Sequence, residues 1–177
     1  MKTQGLFKSG ALPIRHCIVF LFFALTGICA TAQSLDEQVA AAEAGPNDSL
    51  RVMQLNKIAS KDPTAHFSQS VSIVNKALAY AGKNFMLQAD CYRSLGFIYR
   101  ENLKTDQAID ALKQALHLYE EHRYTKGAAE TYEKIGSVYK KAKNNPKAIA
   151  AFKQSIELAK KCGDWEQAKR SYKETAG

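Results

Sequence analysis

FMLQADCYRSLGFIYRENLKTDQAIDALKQALHLYEEHRY, residues 85–124, is followed directly by TKGAAETYEKIGSVYKKAKNNPKAIAAFKQSIELAKKCGD, residues 125–164. Laid over each other, the two stretches agree at ten positions: Ala89/Ala129, Tyr92/Tyr132, Gly96/Gly136, Tyr99/Tyr139, Ala108/Ala148, Ile109/Ile149, Ala111/Ala151, Lys113/Lys153, Gln114/Gln154 and Leu118/Leu158. The agreements recur at helical spacings, so each stretch predicts a pair of helices with one apolar face each. Such a pair cannot bury both faces alone. Stacking one pair on the next buries them, and the result is a solenoid, an architecture that offers surfaces rather than a reaction centre.

Working outward, the echo weakens in both directions. Before it, Leu55, Asn56 and Ala59 stand at the places of Leu95, Gly96 and Tyr99, so 48–84 reads as a degenerate unit. In that unit, Asp48 or Ser49 is expected to cap a helix to about Ser60, with Leu50, Met53, Leu55 and Ile58 apolar. Asp62-Pro63 is expected to open the next helix, which runs to about Ala81 and buries Phe67, Val71, Val74, Leu78 and Ala81. Further on, Thr105 is expected to cap a helix to about Glu121, and Asn145-Pro146 to start another that ends near Lys161. After the echo, Tyr172 lies forty residues past Tyr132, so 165–177 is half a unit acting as a capping helix, with Trp165 packed on the unit before it. Terminal units are commonly atypical because one face meets water. The fold class is therefore all-α: a right-handed solenoid of antiparallel helix pairs, with seven helices from residue 48 onward and no strand pattern.

Residues 33–47 form a lead-in, with Leu35, Val39 and Ala42 on one helical stripe before Gly45-Pro46-Asn47 breaks it. Residues 1–32 read as a secretory signal. Lys2, Lys8, Arg15 and His16 precede the apolar run Cys17–Cys29, and Ala30-Thr31-Ala32 has the small-x-small form of a cleavage site. The apolar run is short against the roughly 20 residues of a membrane span. The expectation is an exported protein, periplasmic or secreted, cleaved near Ala32. A lipid-anchored reading through Cys29 is disfavoured by Ile28, where a small residue is wanted.

Composition narrows function by exclusion. The formal net charge is +8, and three of those charges lie in the signal. No compact Lys/Arg run marks a nucleic-acid surface. Of the four cysteines, Cys91 and Cys162 remain after cleavage, in different units and without metal-type spacing, and are read as unpaired, partly buried thiols. His117 and Glu121 are four apart and read as a surface pair rather than a metal site. No Gly-rich phosphate loop, nucleophile elbow or Cys–His arrangement occurs, so neither catalysis nor a cofactor is expected. Lys134, Lys140, Lys141, Lys143 and Lys147 cluster near one turn and read as a solvated face.

Tyr92, Leu95, Gly96, Tyr99, Ala108, Leu112 and Ala115, and again Tyr132, Ile135, Gly136, Tyr139, Ala148, Phe152 and Ser155, fill the offsets at which the tetratricopeptide repeat wants its large, glycine, aromatic and small residues. The chain resembles that family over about 48–177. Its forty-residue period resembles the kinesin-light-chain-like subset. With the Asn47–Leu50 and Asp62-Pro63 stretches it also resembles the exported repeat segments of bacterial sensor kinases. The resemblance implies an interaction module that binds a peptide or protein segment in a groove lined by the first helix of each pair. The positions it assigns to that groove are Asp90, Arg93, Phe97, Arg100, Glu101, Glu130, Glu133, Ser137, Lys140 and Lys141. The alternative it implies is the sensory part of an envelope signalling system. The terminal-carboxylate clamp of some relatives does not carry over, because Phe97 stands where an Asn is wanted and Glu133 and Ser137 miss both positions. A membrane enters only through a retained signal or a membrane-bound partner.

Overall fold

Four helices start twenty residues apart and have the same length: α4 (Phe85–Glu101), α5 (Thr105–Glu121), α6 (Thr125–Lys141) and α7 (Asn145–Lys161), each of 17 residues. In this computed structural model the described residues are 34–176, so the expected signal lies outside them. Three helices precede the regular set: α1 (Leu35–Glu43), α2 (Asp48–Ala59) and α3 (Phe67–Ala81). One follows, α8 (Trp165–Ala176). No strand occurs among the described residues. None of these helices is long and apolar enough to cross a membrane.

The twenty-residue rhythm comes from the turns. Leu103, Arg123, Lys143 and Gly163 have φ of 57°, 53°, 59° and 76° and close four equivalent helix ends. In each, the residue after the left-handed one donates its N–H to a carbonyl five back, as Lys104 does to Tyr99 (2.9 Å) and Asn144 to Tyr139 (2.8 Å). The left-handed residue itself donates three back, so each end is a Schellman motif that leaves no room for a fourth loop residue.

Some helix caps fall a residue or more from the sequence reading. Asn47, not Asp48 or Ser49, caps α2 by accepting the N–H of Leu50 at 2.9 Å. α7 starts at Asn145 as expected, with Asn144 as its cap, while Lys104 rather than Thr105 is the cap residue of α5 and makes no side-chain cap bond. Asp62 accepts the Ala65 N–H at 3.2 Å, but this closes an isolated turn, and α3 starts only at Phe67. The late start turns the buried stripe of α3 to Ser70, Ile73, Val74, Ala77 and Ala81, leaving Phe67, Val71 and Leu78 at its half-buried margin. In α2 the buried residues are Val52, Leu55 and Ala59, while Met53 is 61% exposed.

Consecutive helices pack against each other as antiparallel neighbours, with α2/α3, α4/α5 and α6/α7 as pairs. The pairs close where side chains are absent. A Cβ on Gly96 would lie 2.6 Å from Leu112 Cγ, and one on Gly136 would lie 2.5 Å from Phe152 Cε1. One apolar cluster runs from α1, through Val39 and Ala42, to α4; a second joins α4 to α7. Tyr92 and Tyr99 touch both and fill the wedge between the first two pairs. Ala129, Ala159 and Ala168 alone make the cluster that holds α8. First helices of successive pairs also meet (α2 with α4, α4 with α6, α6 with α8), whereas second helices do so far less, so the stack curves with the first helices inside.

Candidate functional site

The inner face carries a hollow of about 520 Å³ between α2 and α4. Val52, Met53, Asn56 and Ser60 line it from α2, Leu87, Asp90, Arg93, Ser94, Phe97 and Arg100 from α4, and Lys134 from α6. Its floor is apolar through Val52, Leu87 and Phe97, and Met53 stands at its edge. Arg100 lies over the Phe97 ring, 5.0 Å from its centre, which holds the ring against the first pair and keeps the guanidinium at the rim.

Of the expected groove residues, Asp90, Arg93, Phe97 and Arg100 come together in this hollow. The others lie further along the inner face and are held in side-chain contacts there. Arg93 Nη2 meets Glu130 Oε2 at 3.1 Å, across the α4/α6 contact. Arg93 Nη1 lies 3.4 Å from the Tyr119 hydroxyl, which in turn lies 3.5 Å from Asp90. Burial pushes the Asp90 carboxyl above its ordinary value, and the neighbouring Arg93 charge works against the rise. Burial likewise raises the Tyr119 phenol. One step along, Lys141 Nζ donates to Glu101 Oε2 at 2.6 Å, and Arg100 holds the other Glu101 oxygen at 2.7 Å. The Lys141 hydrogen bond, with Arg100 beside it, holds the Glu101 carboxyl below its usual range.

Lys140 pairs with Glu174 of α8 at 3.1 Å, Glu133 accepts from Gln167 at 3.0 Å, and the Ser137 hydroxyl donates to the Glu133 carbonyl. The inner face is thus a run of charged groups that tie α4 to α6 and α6 to α8. Around the hollow apolar surface lies open beside unsatisfied polarity. There the Asn56 amide donates to the Cys91 sulfur at 3.6 Å, and its buried Oδ1 has no partner. Cys91 is fully buried, which pushes its thiol up to about 11 and makes it an inert packing group rather than a nucleophile.

Met53, Asn56 and Ser60 were missed in the sequence, yet the forty-residue register carries the signal. They stand forty before Arg93, Gly96 and Arg100. Lys134, read as part of a solvated cluster, reaches the rim of the hollow, while Lys140 and Lys141 bridge helices and Lys147 lies over the Tyr139 ring. His117 and Glu121 form the expected pair at 3.3 Å. Cys162 is free and exposed rather than partly buried. Trp165 is 66% exposed and does not pack on the preceding unit.

Paired helices of equal length, closed at a glycine and stacked with first helices inward, place the chain among known repeats, and two separate profiles of one family match it, at residues 85–122 and 129–162. These two stretches are tetratricopeptide repeats. A comparison with curated proteins gives no match. Repeats of this family serve as protein–protein interaction modules and are generally not enzymes. Among the described residues no three His, Cys, Asp or Glu side chains are grouped to hold a metal ion.

Proposed function

We propose that this protein is an exported interaction module whose inner-face hollow takes an extended segment of a partner protein. The observation that carries the reading is the hollow itself. It is the inner-face site where an apolar floor of Val52, Leu87 and Phe97 lies open beside Arg93, Arg100 and Lys134. Such a site suits a segment that presents a large apolar side chain next to an acidic one, with arginine giving directed hydrogen bonds to the carboxylate. Export is supported by the basic start, apolar run and Ala30-Thr31-Ala32 of the first 32 residues. The likeness of Asn47–Leu50 and Asp62-Pro63 to sensor-kinase segments supports a second reading, in which the partner is a membrane-bound signalling protein.

Selection of displayed random peptides on the purified chain tests the site. Enriched peptides are expected to pair an aromatic or aliphatic residue with Asp or Glu. They should bind the Met53→Asp variant about tenfold more weakly or worse, which is about 1.4 kcal/mol. Met53 is exposed, so the variant keeps its helical circular dichroism. Equal binding to both proteins removes the hollow from the reading. Detection of the chain only in the cytosol of its native cell removes export.

A further inference from the structure

The face of α8 that points away from the body is built like the covered face of α4. Phe85 and Tyr92 of α4 pack into the cluster that α5 closes, and Phe85 stacks on His122 at the far end of α5, with ring centres 3.9 Å apart. Eighty residues later, Trp165 and Tyr172 hold the same register and are 66% and 50% exposed. They lie two helical turns apart on one side of α8. The side that α8 buries is instead Gln167, Ala168 and Ser171. Its two large apolar residues are thus turned outward, beside a hollow of about 440 Å³ that Trp165 helps to line.

In the complete pairs this face is covered by a helix with Ala, a bulky residue and Ala at fixed offsets, Ala108, Leu112 and Ala115 in α5. At the Trp165 end the border holds exposed Glu166, and Asp164, which Lys126 pairs with at 3.3 Å; lysines outnumber these acids around the rest of the face. Lys160 lies over the Tyr172 ring, 5.3 Å from its centre, and Lys161, Lys169 and Lys173 are exposed and take part in no ion pair. We infer that α8 is a docking surface for an acidic amphipathic helix of a partner chain. This surface is separate from the inner hollow. A second copy of the chain joined through α8 would set these lysines against their own kind, and like charges across an interface oppose association.

The chain contains one tryptophan, and it is Trp165, so its fluorescence reports this face alone. The probe is the chain's own α5 sequence, Thr105–Glu121, made as a free peptide and held helical by a cross-link between positions 113 and 117. It carries Asp106, Asp110, Glu120 and Glu121 and has the required spacing. The control is Asn145–Lys161, cross-linked at 153 and 157, which has the same spacing and is basic. Titration of the full chain with the acidic peptide is expected to shift Trp165 emission to the blue and saturate. Tyr172→Ser, and separately Lys169→Glu with Lys173→Glu, should each weaken binding about tenfold. Both variants change exposed side chains, and unchanged circular dichroism shows that α8 is kept. Emission that stays that of an exposed indole overturns the proposal. Equal binding of the basic peptide overturns its charge, and a blue shift produced by protein concentration alone gives the face to a second copy.

Discussion

The junction between α5 and α6 and the junction between α7 and α8 occupy the same register forty residues apart, yet they are filled in opposite ways. At the first, Tyr119 is fully buried and closes over Gly127, where a Cβ would lie 2.8 Å from the phenol ring. At the second, Ala159 replaces the tyrosine and Gln167 replaces the glycine. Large against small has become small against large. The Gln167 amide then donates to Glu133 at 3.0 Å and to Ser155 at 3.1 Å, Ser155 and Ser171 lie 2.9 Å apart, and Arg170 donates to Gln167 Oε1. One backbone geometry thus accepts an apolar seam or a polar one. The apolar seam is continuous with the cluster that joins α4 to α7. The polar one holds a terminal helix through hydrogen bonds and three alanines.

The difference is broken most strongly at Tyr119. Tyr119→Ala removes a fully buried ring and should lower stability by about 3–5 kcal/mol, read as a fall in melting temperature of the whole chain. Gly127→Ala forces Tyr119 and Tyr124 aside, and should lower it by about 1–3 kcal/mol. Combining Tyr119→Ala with Gly127→Gln copies the second junction into the first. Its loss should be smaller than the sum of the two single losses, and strict additivity would refute the idea that the two positions compensate each other.

Gln167→Ala leaves Glu133 and the two serines without their donor and should cost about 1–2 kcal/mol. Its effect should be confined to α8: hydrogen exchange quickens there and not in α4–α6, which global unfolding would not reproduce. At the turns, Leu103→Gly gives the first left-handed position the residue that Gly163 already has. It should raise stability by about 1 kcal/mol, because the left-handed strain of leucine exceeds the extra entropy lost by glycine.

The smallest effect is electrostatic and links α4 to α6. Glu101 has a folded-state pKa below its unfolded one, so its stabilisation is full above the ordinary glutamate range and is lost as pH falls through the folded value. Glu101→Gln should therefore lower stability near neutral pH, by no more than about 1 kcal/mol because the pair is partly exposed. The difference from wild type should close well below about pH 4. A gap that persists in acid would assign the effect to packing.

Much of this was written in the order of residues. Tyr92, Gly96 and Ala108, echoed at Tyr132, Gly136 and Ala148, were enough to predict helix pairs that cross at glycine and stack with tyrosine wedges. The helix starts near Thr105 and Asn145 were legible too, but the left-handed conformation of Leu103, Arg123 and Lys143 was not, because glycine would have marked it. Trp165 misled for a related reason. Its apolarity is visible in sequence, but the direction it faces depends on a neighbouring helix that the described residues do not supply.

The candidate groove divides in the same way. The resemblance to the repeat family assigned Asp90, Arg93, Phe97 and Arg100 to the groove, and spacing along α4 carried that assignment onto these residues. That Glu101, Glu130, Glu133, Lys140 and Lys141 reach across to neighbouring helices was a matter of inter-helix distance. So was the opening of the hollow between α2 and α4. Local spacing determines which side of a helix is apolar and where the chain turns, because both depend on residues within one turn of each other. Which charges meet, which apolar face stays open and where a partner finds room depend on how one helix is set against the next, and only the tertiary structure decides that.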